Sequence, residues 1–228
     1  MGMSVSEAVS TRKSVRAFTA QQVDPADVQQ LLKDAALAPS GGNVQPWRIW
    51  VLTGDVLQTF RDKVRELRAD HPMGQGGEYD VYPQDLWEPY RSRRFKNGQD
   101  LYASIDIPRE DKAGRINQFG NNFDFFGAPA AVLVGIERRM GPPQWSDVGM
   151  YLQNVMLLAT ERGLATCPQE AWTSWHQVAY ETLDWPEDVM LFCGLAIGYE
   201  DTAHPINNWR SDRADTSEWL HEAKLRNG

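Results

Sequence analysis

The chain has 228 residues, 42% of them hydrophobic and 24% charged, with a formal net charge of −8 and a sequence pI near 5.0. This length and composition suit one globular domain, with or without an insertion. The acidic balance excludes the broad cationic face that nucleic-acid backbones require.

Two cysteines, Cys167 and Cys193, make neither a disulfide framework nor a metal-ligand spacing, which fits buried, reduced thiols in a cytoplasmic protein. No apolar run approaches membrane length, and the N-terminus lacks the apolar core of a signal peptide.

A short helix is expected from Ser6, its end carrying Arg12-Lys13-Ser14-Val15-Arg16. Asp24-Pro25-Ala26-Asp27 is a strong helix start, and Val28, Leu31, Leu32 and Ala35 follow as one apolar stripe. Pro39 is expected to end that helix, and Ser40-Gly41-Gly42-Asn43 makes a permissive loop that backbone or ligand can approach closely. Trp47 to Leu52 reads as a strand, and Leu57, Phe60, Val64 and Leu67 mark a second amphipathic helix.

From residue 71 to about 118 the character changes: Tyr79, Tyr82, Trp87, Tyr90, Phe95 and Tyr102 are scattered among charges with no common period. The segment reads as an insertion into a single domain spanning 1–228. Its aromatics suggest a lid over an apolar pocket, or a segment that simply packs on the body.

Ala130 to Ile136 is a buried strand after the turn at Gly127-Ala128-Pro129. Ser146 is expected to cap a long helix, apolar nearly all round and closed by Gly163, which must be central or at a subunit interface. Leu164 to Cys167 leads into Pro168-Gln169-Glu170-Ala171, and Ser174 with Gln177 has the capping-box spacing for another helix. Val189 to Ile197 is the third strand, and a short helix is expected around Trp219. Helices alternating with a few strands give an α+β (α/β layered) domain with a small central sheet.

The familiar chemistries are missing. There is no GxGxxG between strand and helix, no GxxxxGK[ST] loop and no GxSxG elbow. His71, His176, His204 and His221 never fall at a metal-ligand spacing, so no metal site is expected. An enzyme with this sequence needs a bound cofactor to carry its chemistry.

The cluster Arg12 to Arg16 is unfavourable to hold together without an anion, and arginine forks match phosphate oxygens two at a time. With Ala17-Phe18, the run Ala38 to Trp47, Asn121-Asn122-Phe123, Ala128-Pro129, Cys167-Pro168-Gln169-Glu170-Ala171, Gly198-Tyr199 and Pro205 to Arg213, it resembles the FMN-dependent nitroreductase family. The resemblance spans residues about 5 to 220, outside the 71–118 insertion.

The resemblance implies a nitroreductase-like fold, in which helices surround a small, mostly antiparallel sheet, to which the 71–118 insertion would add a helical lid. It implies a homodimer with FMN at the subunit interface, and NADH or NADPH as hydride donor. The flavin phosphate is then expected among Arg12, Ser14 and Arg213, with Arg210 beside them, and Lys13 is expected among the cofactor-binding residues. Arg16 and Asn121 (or Asn122) are expected at the pyrimidine edge. Pro39, Ser40 and Asn43 are expected from the partner subunit, and Pro168, Gln169, Glu170 and Ala171 at the other edge of the ring.

No catalytic side chain is implied: flavin N5 carries the chemistry, supported by Glu170 and the Ala171 N–H. The implied activity is ping-pong reduction of nitroaromatics, quinones or similar flat acceptors. Tyr79, Tyr82, Trp87 and Phe95, with Arg91, Arg93 and Arg94, are candidates to contact an aromatic substrate. Also open are a specialised flavin enzyme on the same fold (an enone or aldehyde reductase, a reductive dehalogenase, a flavin-fragmenting enzyme) and a non-catalytic flavin-binding protein.

Overall fold

Four strands form the centre of the computed structural model, which describes residues 2–224. They are β1 (Arg48–Thr53), β2 (Ala130–Glu137), β3 (Ala165–Gln169) and β4 (Val189–Gly198). Their order across the sheet is β1-β2-β4-β3, with every neighbouring pair antiparallel. β2 and β4 are apolar on both faces because helices cover both.

On one face α2 (Pro25–Ala35) and α6 (Pro142–Glu161) bury Val28, Leu31, Val148, Tyr151 and Val155 against Val132, Val134 and Leu195. On the other face α3 (Gly54–Leu67) and α7 (His176–Thr182) join an aromatic cluster. There Phe60, Phe123, Phe125, Trp172 and Trp175 pack on Ala131, Leu133 and Ala196. Trp172 stacks on Phe125 at 4.2 Å, which holds Phe125 and Phe126 in the left-handed region at φ 49° and 54°.

The 71–118 segment contains α4 (Tyr90–Ala103) and most of α5 (Lys112–Gly120). Its first leg is anchored to the body. The nearly buried Glu78 carboxylate accepts from Leu191 N at 2.9 Å and pairs with Arg138. Tyr79 donates to the Phe192 carbonyl and packs against Trp145.

Several local expectations need correction. The sheet has four strands, because the chain stays extended through Pro168 and Gln169 where only a lead-in was expected. Pro168 is tolerated because β3 pairs on one side only, leaving an edge that needs no donor. α6 begins at Pro142, earlier than expected. Two prolines open it, the Gly141 N–H donates to Gln144 Oε1, and Ser146 lies inside the helix, donating to Pro143.

Ser174 is no cap either: it sits in a 3₁₀ turn over Glu170–Trp175 and donates to the Ala171 carbonyl. α2 ends at Ala35, before Pro39. The turn near Trp219 is 3₁₀, Thr216–Glu218, capped by Asp215. α1 (Val5–Thr11) starts from Ser4, which caps Glu7 N, and stops at Arg12, so the cationic run itself is extended.

Candidate functional site

That extended run lies along the open edge of the sheet. Ser14 bridges to Thr166 of β3, and Val15 N donates to the Thr166 carbonyl at 3.0 Å. The C-terminal arm comes back over the same place through Asn207, which is 1% exposed. Its Oδ1 accepts from Arg16 N at 2.8 Å, and its Nδ2 donates to the Ala17 and Asp201 carbonyls.

Arg12, Lys13, Ser14, Arg16, Trp209, Arg210, Ser211 and Arg213 thereby close around one cavity of about 50 Å3. Opposite ends of the polypeptide supply its guanidinium groups.

Charge in this cradle is poorly neutralised. Lys13 is paired with Glu200 at 2.6 Å. Among the described residues none of Arg12, Arg16, Arg210 and Arg213 has a carboxylate partner. Arg210 donates to the Arg12 carbonyl, Arg213 to the carbonyls of Ser211 and Asp212, and Arg16 to that of Ser14. Arg12 Nε is buried with no partner at all. Burial, then the charges of Arg213 and Arg210, pull the Arg12 guanidinium below its ordinary value. A site so built requires an anion.

β3 leads away from the cradle: from Thr166 to Glu170 is about 13 Å of extended chain. At its far end Gln169 is buried, donates to the Asn122 carbonyl at 2.7 Å, and leaves its Oε1 without a partner. Gln169 thus engages Asn122, whereas Asn121 faces solvent and donates to Gln118.

Pro168 and Glu170 are exposed and Ala171 is half-buried. Although accessible, Glu170 stands where neighbouring atoms displace water, and this desolvation pushes its carboxyl above the usual range.

Pro39, Ser40 and Asn43 lie elsewhere. Their loop is pinned by the buried Asp147 of α6, both of whose oxygens stand 3.3 Å from Gly41 N. Ser40 Oγ accepts from Gln45 N at 3.0 Å. Gly42, Asn43 and Gln45 are all left-handed, at φ 59°, 57° and 51°. Arg12 Nη1 touches Met156 Sδ at 4.0 Å. Asp147 and Met156 are nine residues apart, about 13–14 Å along the α6 axis, so the loop and the cradle meet this helix at different levels of the same chain.

The aromatic candidates also divide. Tyr82 and Trp87 flank the start of α4, where Arg94 lies 4.1 Å over the Tyr82 ring. Phe95 is on another face under Arg109. Tyr79 is in the core, its hydroxyl pushed far up chiefly by burial. Arg91 pairs with Glu88 at 2.8 Å. Two participants carried no sequence signal as ligands: Asn207, which ties both cationic segments together, and Trp209, over whose ring Arg16 sits at 5.8 Å.

The sequence profile described as the Nitroreductase family matches residues 9–199. The chain belongs to the nitroreductase family. A 4-nitrobenzoate reductase of Pseudomonas putida is 34% identical over 213 residues, covering 93% of this chain and 92% of the relative.

Among solved nitroreductase structures, the FMN and NADPH-dependent NfnB of Sphigopyxis sp. strain HMH is 46% identical with a TM-score of 0.93, over 97% of this chain and 100% of that one. The FMN-dependent NfnB from Mycobacterium smegmatis, in complex with NADPH, is 25% identical with a TM-score of 0.89, over 96% and 97%. These likenesses agree with the α+β fold described above.

Proposed function

We propose that this chain is an FMN-dependent NAD(P)H oxidoreductase that reduces nitroaromatic compounds, quinones or similar flat acceptors, working in the cytoplasm as a homodimer with FMN at the subunit interface. The observation that carries this reading is the cradle: four guanidinium groups without carboxylate partners, one with an orphaned buried Nε, around a cavity suited to a compact anion. Family membership and the FMN-dependent relatives support it. The two free, buried cysteines support a reducing compartment.

The residues present fit the cofactor. Arg12, Ser14, Arg210 and Arg213 are suited to the phosphate dianion, with Lys13 tied to Glu200 as a structural cation. Arg16, its backbone N–H held by Asn207 and its guanidinium donating to the Ser14 carbonyl over Trp209, supplies a positive charge next to them. The orphaned Gln169 Oε1 offers an acceptor, and the edge from Thr166 to Ala171 gives a linear track from anion site to ring site. Pro39, Ser40 and Asn43 are assigned to the other subunit's cofactor.

When bound, FMN would supply two-electron redox chemistry between a nicotinamide and the acceptor. The protein's own share is positioning and electrostatics. Arg16 would stabilise negative charge on the bound cofactor. The Ala171 N–H and Glu170 would meet the opposite edge, and the insertion would provide a lid and, through Tyr82 and Trp87, contacts to substrates.

Anaerobic titration of the purified yellow protein with NADH and NADPH tests the proposal. Bleaching by at least one, followed by recolouring with a nitroarene or quinone, is expected. Bound flavin that neither donor bleaches would leave only a flavin-binding role.

A further inference from the structure

Between α4 and the C-terminal arm lies a cavity of about 530 Å3, far larger than the cradle and sharing Ser211 and Arg213 with it. Its charges are unevenly spent. Arg93 pairs with Glu218 at 2.7 Å, and Lys96 with Asp212 at 2.6 Å as well as with Asp100. The three acids in the wall are thus committed to two cations. Arg94 has no carboxylate partner among the described residues, and Arg213, likewise without one, is shared with the cradle.

A second cavity of about 400 Å3 shares Tyr82, Arg93 and Arg94 with the first and is otherwise lined by Leu86, Trp87 and Tyr90. Trp87 is 59% exposed and stands edge-on to Tyr90 at 5.5 Å. One room therefore keeps spare guanidinium charge, and the next is aromatic.

A single-ring acceptor fills little of this space, even one whose carboxylate takes a guanidinium. The joined rooms match a ligand with a dianion at one end and a broad flat ring at the other. Arg94, stacked on Tyr82 at 4.1 Å, presents its fork in a fixed plane, as phosphate recognition favours.

We propose that these cavities seat the phosphoadenosine half of NADPH, Arg94 taking the 2′-phosphate and the Tyr82–Trp87 wall the adenine. This rests on the flavin-reductase reading above. It assigns the Tyr82–Trp87 wall to the hydride donor and not to the acceptor. Preference for NADPH over NADH is then set by the insertion.

The test separates binding from turnover. Flavin-loaded wild type, Arg94→Ala and Arg94→Lys are titrated calorimetrically with adenosine 2′,5′-bisphosphate and with adenosine 5′-monophosphate. KM is then measured for NADPH and NADH. The bisphosphate should bind wild type more tightly than the monophosphate. Arg94→Ala should lose about tenfold in bisphosphate affinity, as expected for hydrogen bonds to a charged group. The NADPH-to-NADH KM ratio should rise by a similar factor, and Arg94→Lys should recover part of it.

Equal affinity for the two nucleotides, or an Arg94→Ala variant like wild type, overturns the assignment. So does a KM defect confined to 4-nitrobenzoate, which would give the site to the acceptor. Bleaching by NADPH without bisphosphate binding sinks this inference and spares the flavin-reductase reading. Bisphosphate binding without bleaching does the reverse.

Discussion

Arg12 shows how a binding site can be stored as local instability. Its guanidinium is half-buried, its Nε is unpartnered, and Arg210 and Arg213 repel it. Its folded value lies below its unfolded one, so the charged form carries a penalty. An arginine side chain stays charged through the ordinary pH range, so this contribution stays flat between about pH 6 and 8. An anion that binds only the folded state removes the penalty by mass action. Millimolar inorganic phosphate should therefore raise the Tm of flavin-free protein, and Arg213→Ala should abolish that gain. A wild-type Tm indifferent to phosphate would count against the cradle as an anion site.

Glu170 gives the opposite pH behaviour. Desolvation raises its folded value, so the neutral acid is the favoured form. The penalty is absent below its unfolded value, grows as pH rises through that value, and is complete above the folded one. Glu170→Gln should thus match wild type near pH 4, about the model-peptide range, and be more stable than wild type at pH 7 without flavin. Thermal melts at both pH values check this; a constant difference would show that charge is not the cause.

Among the elements, what the sequence revealed followed from one-sided or fully buried patterns. The stripe Val28, Leu31, Leu32, Ala35 is buried as its spacing requires, and β2 and β4 are unbroken apolar runs. β3 was hidden because five residues containing Pro168 have no periodicity to read. The start of α6 was hidden because Pro142-Pro143 can open a helix without a side-chain cap, while Ser146 merely has the right residue type.

In the site, the arginines were legible as a local cluster. Asn207 and Trp209 were not, since their role arises only when the arm folds back across the edge strand.

Close packing behind β3 gives a sharp test at this scale. Gly194 pairs with both Leu133 and Gln169, and a Cβ there would stand 2.2 Å from Trp172 Cδ1. Trp172 is fully buried and stacked on Phe125, so it has nowhere to go. Gly194→Ala should cost about 1–3 kcal/mol in urea unfolding, the usual range for overpacking. Because Trp172 follows Glu170 and Ala171 so closely, the variant should also weaken flavin binding. A neutral variant would mean that the aromatic layer is looser than its contacts imply.

At the scale of the whole molecule, α6 keeps apolar side chains exposed to solvent. One protomer leaves Met150 39% exposed and Leu157 half-buried on this helix, with Gly149 open beside them. Val5 and Val9 of α1, which packs along α6, are exposed too, as is Leu37 at 87%. A self-complementary twofold contact would cover them, provided about 800 Å2 is buried per partner.

The geometry gives such a contact a function. The 39–43 loop sits at the level of Asp147, and the cradle reaches α6 at Met156. Antiparallel pairing of two α6 helices centred near Leu152 would set Asp147 of each opposite residue 157 of the other. Each loop then stands beside its neighbour's cradle, closing the 13–14 Å or so along the α6 axis that separates their levels within one chain.

Wild type should accordingly run as a dimer with one flavin per subunit in light-scattering chromatography. Leu157→Arg should give a folded monomer, with helical content retained by circular dichroism and most of its flavin lost. If Leu157→Arg remains a flavin-loaded dimer, the subunits meet on another surface. The 39–43 loop must then reach the cofactor by another route or not at all.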